Sequence, residues 1–205
     1  MSAAGKVCIG FSCPYVGLYN ANGGNPSYSK GMRLARGVNI KINPDVSDDN
    51  DFYADNVAAE SDGGVFTGGT ADLTVDGLHQ KAEQFCFGLP APEAVSYGSA
   101  KTVEVLKYGD NIKIPYLGLG VIAQYMSDGV ITYVPVILTK VKMQTMSTEA
   151  KTKEGKTDWQ TQKITVSLFR DDSANHEWKW IAADQTTEEE AEEILKGVLG
   201  VEAAA

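Results

Sequence analysis

Asp128-Gly129 lies inside an apolar stretch that runs from 116 to 143. It is the two-residue hairpin turn that suits the right-handed twist of paired strands. Folding the chain about it sets Met126 opposite Ile131, Tyr125 opposite Thr132 and Val121 opposite Val136. One face then carries Leu119, Val121, Ala123 and Tyr125 against Leu138, Val136, Val134 and Thr132, apolar enough to be core. The other face carries Gly118, Gly120, Gln124, Tyr133 and Thr139. Pro135 has no amide hydrogen, so its strand needs a bulge or an unpaired side there.

Other alternating runs extend the β pattern. Val38, Ile40 and Ile42 make a half-buried strand stopped by Pro44-Asp45, and Ala71, Leu73 and Val75 make a second after Gly68-Gly69. Thr102 to Tyr108 reads as a strand. Gln160 to Arg170 is another, with Ile164, Val166 and Leu168 on one face, and Asp171 to Asn175 turns the chain into a Trp-rich strand with Trp178 and Trp180 on one side. Residues 144–158 are polar and read as a loop. Residues 1–29 are Gly/Asn-rich, with Tyr15, Tyr19 and Tyr28 scattered through them, and read as an irregular arm that packs on something else.

Two segments have helical periodicity. Leu78, Ala82 and Phe85 share a face over Leu78 to Phe87, closed by Pro90 and Pro92. The span 186–200 opens on a capping box, Thr187 with Glu190, and has Glu188, Glu189 and Glu190 where the helix dipole favours negative charge. Its stripe is Ala191, Ile194, Leu195 and Val198. Glu192 and Lys196 form an i,i+4 pair worth about 0.2–0.5 kcal/mol, and Gly197 or Gly200 can end the helix. The chain of 205 residues, with 21 glycines, therefore reads as one mainly β domain with one or two flanking α-helices.

Chemistry has little to build on. A net charge of −9 does not suit a nucleic-acid grip, which needs a basic patch. Cys8, Cys13 and Cys86 are odd in number and form no Cys-x-x-Cys pair, which fits a reducing compartment and argues against zinc. No long apolar core follows Lys6, so no signal peptide is expected, and no apolar run reaches membrane-span length. Asp48, Asp49, Asp51 and Asp55 could hold a hard cation, but the spacing is not that of an EF-hand loop, and solvated turn carboxylates are the plainer reading. His79 and His176 have no ligand at metal spacing, and no nucleophile elbow is present. Gly118-Leu119-Gly120 lies within a strand rather than before a helix, so a close-packed strand glycine outweighs a dinucleotide fingerprint. Trp178 and Trp180 could be a sugar platform, though packing suits them better. No enzyme activity, cofactor or metal is expected.

One segment remains, Ser47-Asp48-Asp49-Asn50-Asp51-Phe52-Tyr53-Ala54-Asp55-Asn56-Val57-Ala58-Ala59-Glu60. It is acidic and turn-rich, with an aromatic pair in its middle. Together with Gly31-Met32-Arg33-Leu34 and Asn43-Pro44 before it, the segment resembles the major tail protein (tail tube protein) family of long-tailed bacteriophages, the siphophages. Tyr108-Gly109-Asp110, Pro115-Tyr116-Leu117-Gly118-Leu119-Gly120, Trp159-Gln160-Thr161 and the acidic last helix follow in the matching order. The likeness spans most of 15–200, without an added immunoglobulin-like C-terminal decoration.

The resemblance implies a β-sandwich or barrel of the tail tube type. It implies a virion protein, assembled in the host cytoplasm, whose copies close into hexameric rings that stack into the tube through which DNA is ejected. The expected partners are the chain itself, other tail proteins (tape measure, terminator, distal tail) and passing double-stranded DNA without specific binding; no membrane is expected. By the resemblance, 44–69 is the long loop that meets the adjacent ring, and Asp48, Asp49, Asp51, Phe52, Tyr53, Asp55, Asn56 and Glu60 are its self-assembly residues. Termini such as 1–29 would also reach neighbours. A conduit should not bind its cargo, so a net acidic lumen is expected. The alternatives are a head-tail joining or tail terminator ring protein, and a monomeric cation- or ligand-binding β domain.

Overall fold

In a computed structural model of the chain, residues 5–48, 50–148, 150–152, 155 and 159–202 are described. The Asp128-Gly129 turn forms with φ of 50° and 81°. It joins β9 (Leu117–Ser127) to β10 (Val130–Ser147), with Met126 opposite Ile131, Tyr125 opposite Thr132 and Val121 opposite Val136. Pro135 pairs with Ile122 without interrupting this ladder. Its carbonyl accepts from Ala182 N–H at 2.9 Å on the far side. The N and O of a strand residue point the same way, so the missing donor falls beyond the end of a neighbouring strand. The bulge in β10 lies between Leu138 and Val141 instead.

Around this hairpin the chain builds an antiparallel sheet. Its further strands are β1 (Val7–Asn22), β2 (Asn25–Arg33), β3 (Gly37–Val46), β6 (Phe66–Val75), β11 (Gln162–Phe169) and β12 (Lys179–Ile181). The order is β2-β1-β9-β10-β11-β6-β3, and β12 pairs with the first half of β10. The protein is mainly β with two helices, α1 (Gln80–Phe87) and α2 (Glu188–Leu199). Two small hairpins complete it: β4 (Asn50–Ala54) with β5 (Val57–Asp62), and β7 (Glu93–Tyr97) with β8 (Lys101–Val105).

The sheet curls until β3 meets β1, where Gly37 is pressed against the Phe11 ring. Its concave face buries Leu73, Leu119, Ile164 and Val166, and α1 adds Ala82, Cys86 and Phe87. The convex face has its own core. Ile122 and Ile137 pack there against Ala191, Leu195 and Leu199 of α2. A fully buried Leu side chain contributes about 1.5–3 kcal/mol, so α2 is held by tertiary packing rather than by propensity. Its cap is the expected one: Thr187 Oγ1 accepts from Glu190 N–H at 3.2 Å. Glu190 Oε2 accepts from the Thr186 hydroxyl at 2.9 Å. Glu192 meets Lys196 at 3.2 Å, and Gly200 (φ 67°) ends the helix.

Several expectations are corrected. The segment 1–29 is not irregular from residue 7 onward: β1 and the start of β2 lie in the main sheet, with β1 between β2 and β9. The segment 44–69, expected as a long loop, holds the end of β3, the β4–β5 hairpin and the start of β6. β10 continues to Ser147, four residues into the expected 144–158 loop. β8 stops at Val105 and has a partner, β7, that the alternation did not reveal. Trp178 and Trp180 part: Trp178 stacks on Phe66 at 4.6 Å, while Trp180 meets Tyr28 edge-on at 6.3 Å. Strand alternation does not govern Trp178, because β12 begins only at Lys179.

Candidate assembly surface

Of the expected self-assembly residues, Asp51, Phe52, Tyr53 and Glu60 lie on the strands β4 and β5, Asp55 and Asn56 form the turn between them, and Asp48 lies before β4. β4 and β5 pair from Asn50 opposite Asp62 to Ala54 opposite Val57, with a bulge between Phe52 and Tyr53. Phe52 stands opposite Glu60 in this register. The turn is Asp55-Asn56, at φ 53° and 63°. These are the two non-glycine residue types that best tolerate the left-handed region. Asp48, Asp51, Asp55 and Asn56 are exposed. Asp49 lies outside the described residues.

The hairpin forms a sheet of its own, apart from the main sheet. At its base Ser47 N–H donates to the Val65 carbonyl at 2.9 Å, and Val65 N–H donates to Ser47 Oγ at 3.0 Å. A lone two-stranded hairpin is marginal in water. From 45 to 62 the chain has seven carboxylates, Asp45, Asp48, Asp49, Asp51, Asp55, Glu60 and Asp62, and no Lys or Arg. Among the described residues no group of three His, Cys, Asp or Glu side chains is arranged to hold a metal.

The β7–β8 hairpin is a second projection, with Val95 opposite Val103 and both exposed. The signal for β7 was the alternation Val95, Tyr97 before the turn at Gly98 (φ 58°). β2 and β3 close the two ends of the strand order, each with one side unpaired in the main sheet. Such edges template pairing with another chain.

At the opposite end of β3, Arg36 bonds Asp76 through its side chain at 2.5 Å and its N–H at 2.9 Å. Burial pushes the Asp76 carboxyl up, but the Arg36 bonds outweigh it and hold the group below its ordinary value.

The convex face is fixed by phenol–carboxylate contacts. Tyr15 donates to Glu192 at 2.5 Å, Tyr19 donates to Asp172 at 2.7 Å, and Ser12 donates to Glu188. Burial, then Glu192, pushes the Tyr15 phenol well up; burial alone is the main cause at Tyr28; burial and Asp172 take Tyr19 to about 12. A phenol held above its ordinary 10.0 favours the folded state below that value. The stability is lost as pH rises through the folded value, because the unfolded chain ionises first. The melting temperature is expected to hold to about pH 9 and to fall between about pH 10 and 12. Thermal melts followed by circular dichroism check this; a flat profile to pH 12 contradicts it.

Burial raises the Cys86 thiol to about 12, and burial raises Cys13 too. His176 Nδ1 lies 3.3 Å from the Asp171 carbonyl in a turn, and His79 sits at the N-cap of α1 without a side-chain cap. Gly118 and Gly120 lie inside β9, pressed on Tyr28 and Leu195. Among the described residues no helix is long and apolar enough to cross a membrane. No protein-family model matches the chain, and no curated protein matches it.

Proposed function

We propose that this chain is a tail tube subunit of a long-tailed bacteriophage, a structural virion protein that closes into rings, stacks them and encloses a DNA conduit. The observation that supports it best is the β4–β5 hairpin, a charged strand pair that forms its own two-stranded sheet apart from the main one. Its resemblance-bearing residues, Asp51 to Glu60, form one compact projection. The outer edge of β3, and that of β2 away from Gly31, whose N–H donates to the Gly200 carbonyl at 2.8 Å, supply further sites for strand pairing between copies. Closing strands from several copies into a barrel removes such edges. One surface can serve every contact when the contacts are heterologous and rotation closes the ring. A ring of six multiplies the charge of −9 sixfold, so phosphates are repelled rather than gripped. The chain's other partners in this reading are the tape measure, terminator and distal tail proteins.

Negative-stain electron microscopy of the concentrated protein is the test. Hollow tubes are expected. Single rings that do not stack would turn the reading toward a head-tail joining or terminator protein. Solitary particles at about millimolar concentration, where even weak contacts of Kd near 1 mM are half filled, would overturn it.

A further inference from the structure

The two parts of β10 have different neighbours. Up to Val141 the strand pairs with β9, and from Lys140 onward it pairs with β11. From Lys142 to Ser147 it has β11 on one side and, among the described residues, no strand on the other. The chain before β9 does not pair there: Ile112 and Ile114 line a cleft of about 590 Å³ with Gln144 and Met146. The four strands β10-β11-β6-β3 therefore run from one open edge to another. The second edge is that of β3. Gly37 rests on Phe11 of β1, but beyond it Phe11, Val38 and Ile40 line a groove of about 410 Å³. Pro44 stands in β3 and has no N–H to give, so the stretch that can pair runs from Val38 to Asn43. That stretch and Lys142 to Ser147 are each about 20 Å long. The face of these strands away from the core is polar. Asn43, Thr70 and Ser167 make one row across it, and Lys41, Asp72 and Thr165 make another.

We infer that the open edge of β3 in one copy pairs, antiparallel, with Lys142 to Ser147 of β10 in the next copy. The inference rests on the assembly reading above and names the two edges that join. Strand direction selects the partner. Every pairing along the strand order is antiparallel, so direction reverses at each step. β3 lies three steps from β10 and runs opposite to it; it lies six steps from β2 and runs the same way. Copies related by rotation about a channel axis keep these directions. β3 therefore meets a neighbour's β10 antiparallel and a neighbour's β2 parallel, and antiparallel pairing is the more stable per residue. β2 is also taken at Gly31, which pairs with Val201 of its own chain. The contact is heterologous: each copy offers one edge and receives on the other, and a closed ring leaves neither open. Six copies contribute about 24 strands, more than the 16–18 or so that already enclose a wet channel in porins.

The test is disulfide trapping in the full-length chain, with the exposed thiol removed by Cys8→Ser. Lys41→Cys is combined in turn with Lys142→Cys, Gln144→Cys and Ser147→Cys, which span the open part of β10. Within one copy β3 and β10 are three strand spacings apart, about 14 Å. A disulfide needs Cα atoms within about 7 Å, so any bond between these positions joins two copies. Tubes of each reduced variant are oxidised and run on a non-reducing gel. At least one of the three pairs is expected to give a ladder that reaches six copies, with most of the chain gone from the monomer band. Lys41→Cys without a partner cysteine is expected to stay in that band. Tubes that give no ladder with any of the three pairs overturn the inference and leave the function standing. So does a ladder from Lys41→Cys with Ser27→Cys, which joins β3 to β2. A dimer from Lys41→Cys alone overturns it as well, because β3 then pairs with itself. A wild type that never polymerises overturns the function, and the inference with it.

Discussion

Removing 48–64 and closing the gap with Asn-Gly is expected to yield a folded protein that does not polymerise. Ser47 and Val65 already face one another across the base of the hairpin, at 2.9 and 3.0 Å. A two-residue turn between them continues the β3–β6 register in the geometry that strand twist prefers. Among the described residues, those of the buried clusters all stay, because the clusters draw on the main sheet, α1, α2 and the loops beside them. The melting temperature should therefore stay within a few degrees of wild type, the change expected for about 1 kcal/mol or less. Assembly should fail outright, since a lone strand pair projecting into water has no other evident means of being stabilised than a partner. Sedimentation and electron microscopy at matched concentration decide it. Normal tubes from the shortened chain would show that the edges of β2 and β3 suffice. A chain that fails to fold would show that the hairpin belongs to the domain's own stability.

What the sequence revealed and what it hid follow from how regular each element is. The β9–β10 register was legible to the residue because a two-residue turn leaves no freedom in the pairing on either side of it. The α2 cap was legible because it is local. The strand β1 was not, and its bulges explain why. Its pairing with β9 shifts between Cys8 and Gly10 and again between Ser12 and Tyr15, with Cys13 at φ 51°. Two slips in eight residues erase the period-2 pattern, and a Gly/Asn-rich strand then looks like a coil. The β4–β5 hairpin was hidden in the same way, by the bulge at Phe52/Tyr53 and by charge at positions where a buried strand would have apolar residues. The candidate assembly residues were legible as a group, and their strand form was not.

Glycine hid the second core, and the same residues give the largest expected stability effect. Gly118 and Gly120 made one face of β9 look polar, yet a missing Cβ is what lets α2 and Tyr28 approach. A Cβ on Gly118 would stand 2.4 Å from Tyr28 Cε1 and 3.0 Å from Leu199 Cδ2. The Tyr28 ring has no room to yield. Its hydroxyl donates to the Thr139 carbonyl at 2.7 Å, and its faces are held by Tyr19 at 5.9 Å and Trp180 at 6.3 Å. Propensity alone says that Gly118→Val should help, since Gly costs about 0.5–1 kcal/mol inside a strand. Packing says the reverse. Overpacking costs about 1–3 kcal/mol, and breaking the Tyr28 bond leaves a buried carbonyl unpaired at about 1–3 kcal/mol more. A net loss of about 1–5 kcal/mol is expected, against a gain of about 0.5–1 kcal/mol for Gly197→Ala, which lies within α2 with open space where its Cβ would go. Urea unfolding of the two variants measures both. If Gly118→Val proves as stable as wild type, α2 does not sit on β9 as described, and the convex core loses its support.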